Sequence, residues 1–198
     1  MRRSLVIGFA LVLMFAGFEA EAGPLDSPGA QKALICSACH GSDGNSPGNT
    51  MPIIAGMAPG YFKKAIMDYA EGRRPSPEME PYSKYVLQFG VDEIAAYFAE
   101  QKKQPTRIKA DPKAVKRGSA LGAQCIACHG PKGEGDPERA YPALAGQPPG
   151  YLQAQLIILK EDKRKLEDST VDQTKKSMLK PMSDADLAAV AAYFSSLK

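Results

Sequence analysis

A six-residue run that occurs twice constrains this chain more than any other feature. Cys36-Ser-Ala-Cys39-His40-Gly41 returns as Cys125-Ile-Ala-Cys128-His129-Gly130, a shift of 89 residues (125 − 36 = 89). The likeness continues. Gly44 matches Gly133, Pro52-Ile-Ile-Ala55-Gly56 matches Pro142-Ala-Leu-Ala145-Gly146, and Pro59-Gly60-Tyr61 matches Pro149-Gly150-Tyr151. Near each end, Ala95-Ala96-Tyr97-Phe98 matches Ala191-Ala192-Tyr193-Phe194. Matching blocks in one order define a duplicated small domain, because a unit this long exceeds the repeat of a solenoid. The chain has 4 cysteines and 2 histidines, and all of them fall in the two Cys-x-x-Cys-His segments.

The N-terminus sets the compartment. Arg2 and Arg3 precede an apolar run from Leu5 to Phe18, and Glu19-Ala20-Glu21-Ala22 places small residues at a cleavage position. This is the three-part pattern of a secretory signal, expected to cover residues 1–22 with cleavage near Ala22. The run is too short for a spanning helix, which needs about 20 residues. No later segment is apolar enough to span a bilayer. The mature chain is therefore expected in the periplasm without a transmembrane segment, which leaves peripheral membrane contact open. The formal net charge of +3 argues for no particular partner. No basic stripe with interleaved aromatics points to nucleic acid.

The fold class expected is all-α, in two tandem domains. Gln101–Pro112 is polar, carries two prolines and lacks helical periodicity, as a linker does. The division expected is residues 23–104, a linker at 105–111, and residues 112–198. Ser183 is a good N-cap for a last helix with Asp184 and Asp186 in its first turn. Leu187, Val190, Ala191, Phe194 and Leu197 then recur at helical spacing, matched by Val91, Ile94, Ala95 and Phe98. Further helices are expected near Tyr61–Tyr69 and Tyr151–Lys160, and over each cysteine segment up to the glycine after the histidine. Gly41–Pro52 and Gly130–Pro142 read as loops. Domains of about 80 residues have small cores, which a covalently held cofactor would reinforce.

Cys-x-x-Cys-His is the attachment signal for c-type haem. Cysteines three apart share one face of a helical turn and can reach two vinyl groups. The following histidine, His40 or His129, then serves as proximal iron ligand. Two covalently bound haem c groups are expected, one on Cys36 and Cys39 and one on Cys125 and Cys128. A thioredoxin-like pair would need a strand-and-helix context that is lacking. Zinc needs four ligands where each segment offers three, and a shared zinc or plain disulfides would leave the histidines unexplained. With both histidines used, methionine is the usual remaining distal ligand, expected on a loop before each domain's last helix. Met79 meets that test in the first half. Met178 and Met182 both meet it in the second, and Met178 is preferred because Met182, at the helix cap, aligns with Phe89. Each histidine needs a partner for its other nitrogen, and the aligned Pro52 and Pro142 carbonyls are expected to supply it. Met51, Met57 and Met67 are assigned to packing.

These segments, with Pro52–Gly56, Pro142–Gly146 and Ser183–Leu187 leading to Phe194, resemble the two-domain c4-type dihaem cytochromes. They also resemble the cytochrome subunit of flavocytochrome c sulfide dehydrogenase. The resemblance covers essentially the whole mature chain. It implies two class I cytochrome c folds about an approximate two-fold axis, with His/Met haems near their interface. It also implies electrons entering one haem and leaving the other for a terminal oxidase or another carrier. The function expected is electron transfer, with redox proteins as partners and without catalysis by the chain itself. The alternative is an electron-accepting subunit bound to a flavoprotein. Glu78–Tyr82 and Lys160–Lys165 are expected to be solvated surface rather than partner contacts. A dihaem peroxidase would need acid–base groups and an open iron, for which the sequence offers no candidate constellation.

Overall fold

Two glycines decide how the helices of each half cross. Gly29 and Gly118 occupy equivalent places before the cysteine segments. A Cβ on Gly29 would lie 2.1 Å from the Glu93 carbonyl oxygen, and one on Gly118 would lie 1.8 Å from that of Ala189. Only a residue without a side chain lets the first and last helices of each half approach so closely.

The computed structural model describes residue 27 and residues 29–198. Nine α-helices are found among them: α1 (Ala30–His40), α2 (Pro59–Ala70), α3 (Met79–Phe89), α4 (Val91–Glu100), α5 (Pro112–Leu121), α6 (Ile126–His129), α7 (Pro149–Lys160), α8 (Ser169–Leu179) and α9 (Asp184–Ser196). A 3₁₀ turn, Gly122–Cys125, joins α5 to α6. The described residues contain no strand, only an isolated bridge between Asp136 and Tyr141. The expected export signal, residues 1–22, lies outside them. No helix among them is long and apolar enough to cross a membrane.

Each half builds its own core. In the first, Ala33, Phe62, Ile66, Val86, Ile94 and Phe98 are buried together, with Phe62 and Phe98 stacked at 6.0 Å. In the second, Leu152, Leu179, Met182, Leu187, Val190 and Phe194 take that place. The 3.6-residue spacing read from the sequence is thus the burial pattern of α4 and α9.

Three expectations change. The helix expected through Cys125 is broken into α5, the 3₁₀ turn and α6, because Gly118 and Gly122 both sit in it and weaken a continuous helix. The two methionines expected on loops are helical: Met79 opens α3, and Met178 lies in the last turn of α8. The equivalence of Met182 with Phe89 fails, since Met182 is 8% exposed and Phe89 41%.

The cap of α9 is as expected. Ser183 accepts from the Asp186 N–H, and Asp186 accepts from the Ser183 N–H at 2.9 Å, a capping box. Ser183→Ala should lower stability by about 1 kcal/mol in thermal unfolding. The Ser183 hydrogen bonds and then Arg117 hold the Asp186 carboxyl down to about 2. A depressed carboxylate favours the folded state at pH values above its unfolded range. Its contribution is therefore lost as pH falls from about 4 to about 2.

Candidate haem sites and the interface between them

Each cysteine–histidine segment ends in a glycine that turns the chain sharply. Gly41 (φ 81°) and Gly130 (φ 79°) adopt positive-φ conformations, open chiefly to glycine, directly after His40 and His129. The loop that follows folds back over the histidine. Ile54 and Ala55 donate to the Gly44 carbonyl, and Leu144 and Ala145 donate to that of Gly133. This fold-back brings the prolines to the imidazoles. His40 Nδ1 donates to the Pro52 carbonyl at 2.9 Å, and His129 Nδ1 donates to the Pro142 carbonyl at 2.8 Å. A carbonyl only accepts, so the proton sits on Nδ1 and each Nε2 keeps a lone pair for a metal. Burial pushes both imidazoles below their usual range, His129 to about 4 with Lys175 and Arg164 adding to the effect. Both are thus neutral and competent as ligands.

The cysteines are thiols, and none is in a disulfide. Burial, with neighbouring Cys39, raises Cys36 to about 11, and burial raises Cys125. No group of three or more His, Cys, Asp or Glu side chains placed to hold a metal ion is found among the described residues. Met79 and Cys36 both pack against the first core. Met182 is part of the second core, and Met178 lies between it and the surface. Lys160, Lys163 and Lys165 each pair with a nearby carboxylate, which leaves Arg164 as the unpaired charge of that basic stretch.

Sequence reasoning missed what joins the halves. Arg74 is 2% exposed. It donates to Gln155 Oε1 at 3.0 Å, to the Tyr61 hydroxyl at 3.3 Å and to the Tyr151 hydroxyl at 2.6 Å. Arg164 donates to the same Gln155 oxygen at 2.9 Å. The repeat relates Tyr61 to Tyr151, and Arg74 and Arg164 each lie 13 residues beyond their tyrosine (74 − 61 = 164 − 151 = 13). That spacing was the available signal. Burial would raise Tyr61, but Arg74 and Arg164 outweigh it and bring the phenol to about 8. Around this centre, Gln147 bonds both backbone groups of Ile53, at 2.9 and 2.6 Å, and the Asn49 carbonyls, main-chain and side-chain, receive the N–H groups of Tyr151 and Gly150.

The interface is short of negative charge. Neither Arg74 nor Arg164 has a carboxylate partner among the described residues, and Arg164 Nε is buried without any partner. Buried charges are ordinarily paired. A haem fits this arrangement, for it brings carboxylates to an arginine-rich boundary, vinyl groups to paired thiols, and iron to a free imidazole nitrogen.

A helical duplication with two such sites is a dihaem c-type cytochrome. The family model for cytochrome c matches residues 115–198. Cytochrome c4 of Pseudomonas aeruginosa is 34% identical over 98% of this chain and 98% of its own length. The thiosulfate dehydrogenase electron acceptor of Stutzerimonas stutzeri is 32% identical over 83% of this chain and 80% of its own. The crystal structure of reduced recombinant cytochrome c4 from Pseudomonas stutzeri aligns with a TM-score of 0.77 at 30% identity, over 86% of this chain and 97% of that one. The chain belongs to the cytochrome c4 family. It is an electron-transfer protein with two covalently bound haems, not an enzyme.

Proposed function

We propose that the chain works in the periplasm as a freely diffusing electron carrier. In this reading residues 23–104 and 112–198 are the two haem domains and residues 105–111 the linker. Cys36, Cys39 and His40 hold one haem with Met79 as sixth ligand. Cys125, Cys128 and His129 hold the other, whose sixth ligand comes from α8, where Met178 was expected. Haem iron supplies the one-electron chemistry. The chain fixes each imidazole through a proline carbonyl and places Arg74 and Arg164 at the shared boundary. That buried boundary between two equivalent sites is the observation that carries the reading, since it favours passage of an electron from one site to the other.

The second reading, an electron-accepting subunit of a flavoprotein such as a sulfide dehydrogenase, uses the same chemistry. Likeness to a thiosulfate dehydrogenase electron acceptor supports a sulfur-oxidising donor in either case. Purification from the periplasm of the native host tests both. Two covalent haems per chain in a monomeric cytochrome are expected. A stable complex with a flavin subunit would replace the free-carrier reading, and fewer than two haems would overturn the site assignment.

A further inference from the structure

The second sixth ligand can be located by register, given that each half carries one haem. The last helices correspond with a shift of 96 residues (191 − 95 = 96). Close helix contacts fix the same shift a turn earlier. Gly29 abuts the Glu93 carbonyl and Tyr97 Cβ, and Gly118 abuts the Ala189 carbonyl and Tyr193 Cβ. Carried back, the shift places Val86 on Met182 and Ser83 on Leu179. Burial agrees at both positions, with exposures of 2% and 8%, then 0% and 5%. One further turn back, Met79 falls on Lys175 (79 + 96 = 175). Met178 falls instead on Tyr82, which is 49% exposed and is not among the residues of the first core.

We propose that Lys175, rather than Met178 or Met182, is the sixth ligand of the second haem iron, bound through its uncharged ε-amine.

The surroundings of the three candidates agree. Lys175 lies one turn before the buried Leu179, so the two share the core-facing side of α8. It is half-buried and makes no ion pair or hydrogen bond among the described residues. Its charge acts on both His129 and Cys128, so it lies close to the second cysteine–histidine segment. Met182 is packed into the core with Leu187 and Val190. Met178 and an edge of Met182 border one depression with Leu121, Gln124, Ser177, Pro181 and Asp186, and neither Cys128 nor His129 lines it.

Methionine opposite histidine raises a haem potential. An amine lacks the thioether's preference for ferrous iron, so the second haem should have the lower midpoint of the pair. An electron would then enter at the second half and leave from the first.

The test is proton NMR of the reduced two-haem protein, because an iron-bound methionine methyl is driven far upfield by the haem ring current. One such methyl is expected, lost in Met79→Ala and unaffected by Met178→Leu. In the oxidised protein both irons should be low-spin by EPR. Lys175→Ala should turn one of them high-spin, and Lys175→Met should add a second upfield methyl. Two upfield methyls in the unchanged chain, the second lost in Met178→Leu or Met182→Leu, would overturn the proposal. So would a high-spin second haem in the unchanged chain, which would leave Lys175 as a partner of a haem carboxylate. The number of upfield methyls and the spin state of the unchanged chain are read without any variant. Fewer than two haems per chain would defeat the two-haem reading itself, whereas two haems with two methionine methyls would defeat this inference alone.

Discussion

Gly118→Ala should prevent the second half from closing. The added methyl would lie 1.8 Å from the Ala189 oxygen and 2.4 Å from its carbonyl carbon. Both belong to the backbone of α9, so no side-chain rotamer relieves the clash. The helices must separate, and α9 carries Leu187, Val190 and Phe194, the centre of that core. Overpacking of a core costs about 1–3 kcal/mol when side chains can adjust. With backbone as the obstacle, a loss at or above about 3 kcal/mol is expected. Thermal unfolding of the haem-loaded protein, followed by circular dichroism, measures it. Gly60→Ala is the internal control. Nothing lies within 4 Å of a Cβ built there, so its stability should stay within about 1 kcal/mol of the parent. Equal losses in both variants would show that the helix crossing is not what Gly118 protects.

How much of this was legible in the sequence depends on the kind of signal. The duplication exposed both sites, because covalent attachment requires fixed residues at fixed spacing. Pro52 and Pro142 could be named as histidine partners because the repeat aligns them. The helices α4 and α9 were legible from apolar spacing. Position within the second half's distal region was not. Half one runs from α3 into α4 across a single residue, Gly90, while Lys180–Ser183 separates α8 from α9. A sequence alignment anchored at the cap of α9 is therefore displaced by three residues, nearly one helical turn. That displacement paired Met182 with Phe89 and hid the match of Lys175 to Met79. Helical packing recovers it, since Gly29 and Gly118 touch equivalent atoms. The Arg74 cluster was hidden for a different reason. Arginine in a loop reads as solvated surface by default, and only the contact between the halves buries it.

Arg74→Leu should uncouple the two halves. The guanidinium fork reaches Tyr61 in its own half and Tyr151 and Gln155 in the other, and it lies 4.5 Å over the Tyr69 ring. Leucine fills part of the volume and supplies no donor. The Tyr151 hydroxyl loses its 2.6 Å partner, and each buried group left unsatisfied costs about 1–3 kcal/mol. A net loss of about 3 kcal/mol is expected on that scale. Its distribution matters more than its size. Each half keeps its own core, so the cost falls on the contact between them. Denaturant unfolding of the parent should be a single transition, and that of Arg74→Leu should split into two, because two-state behaviour requires coupled halves. Arg74→Lys should split as well, since an ammonium cannot reproduce a planar fork with three separate acceptors. A single, merely shifted transition in both variants would place the coupling elsewhere, in Gln147 with Ile53 and Asn49 with Tyr151. With the halves uncoupled, transfer of an electron between the two haems should slow, while the spectrum of each site stays unchanged.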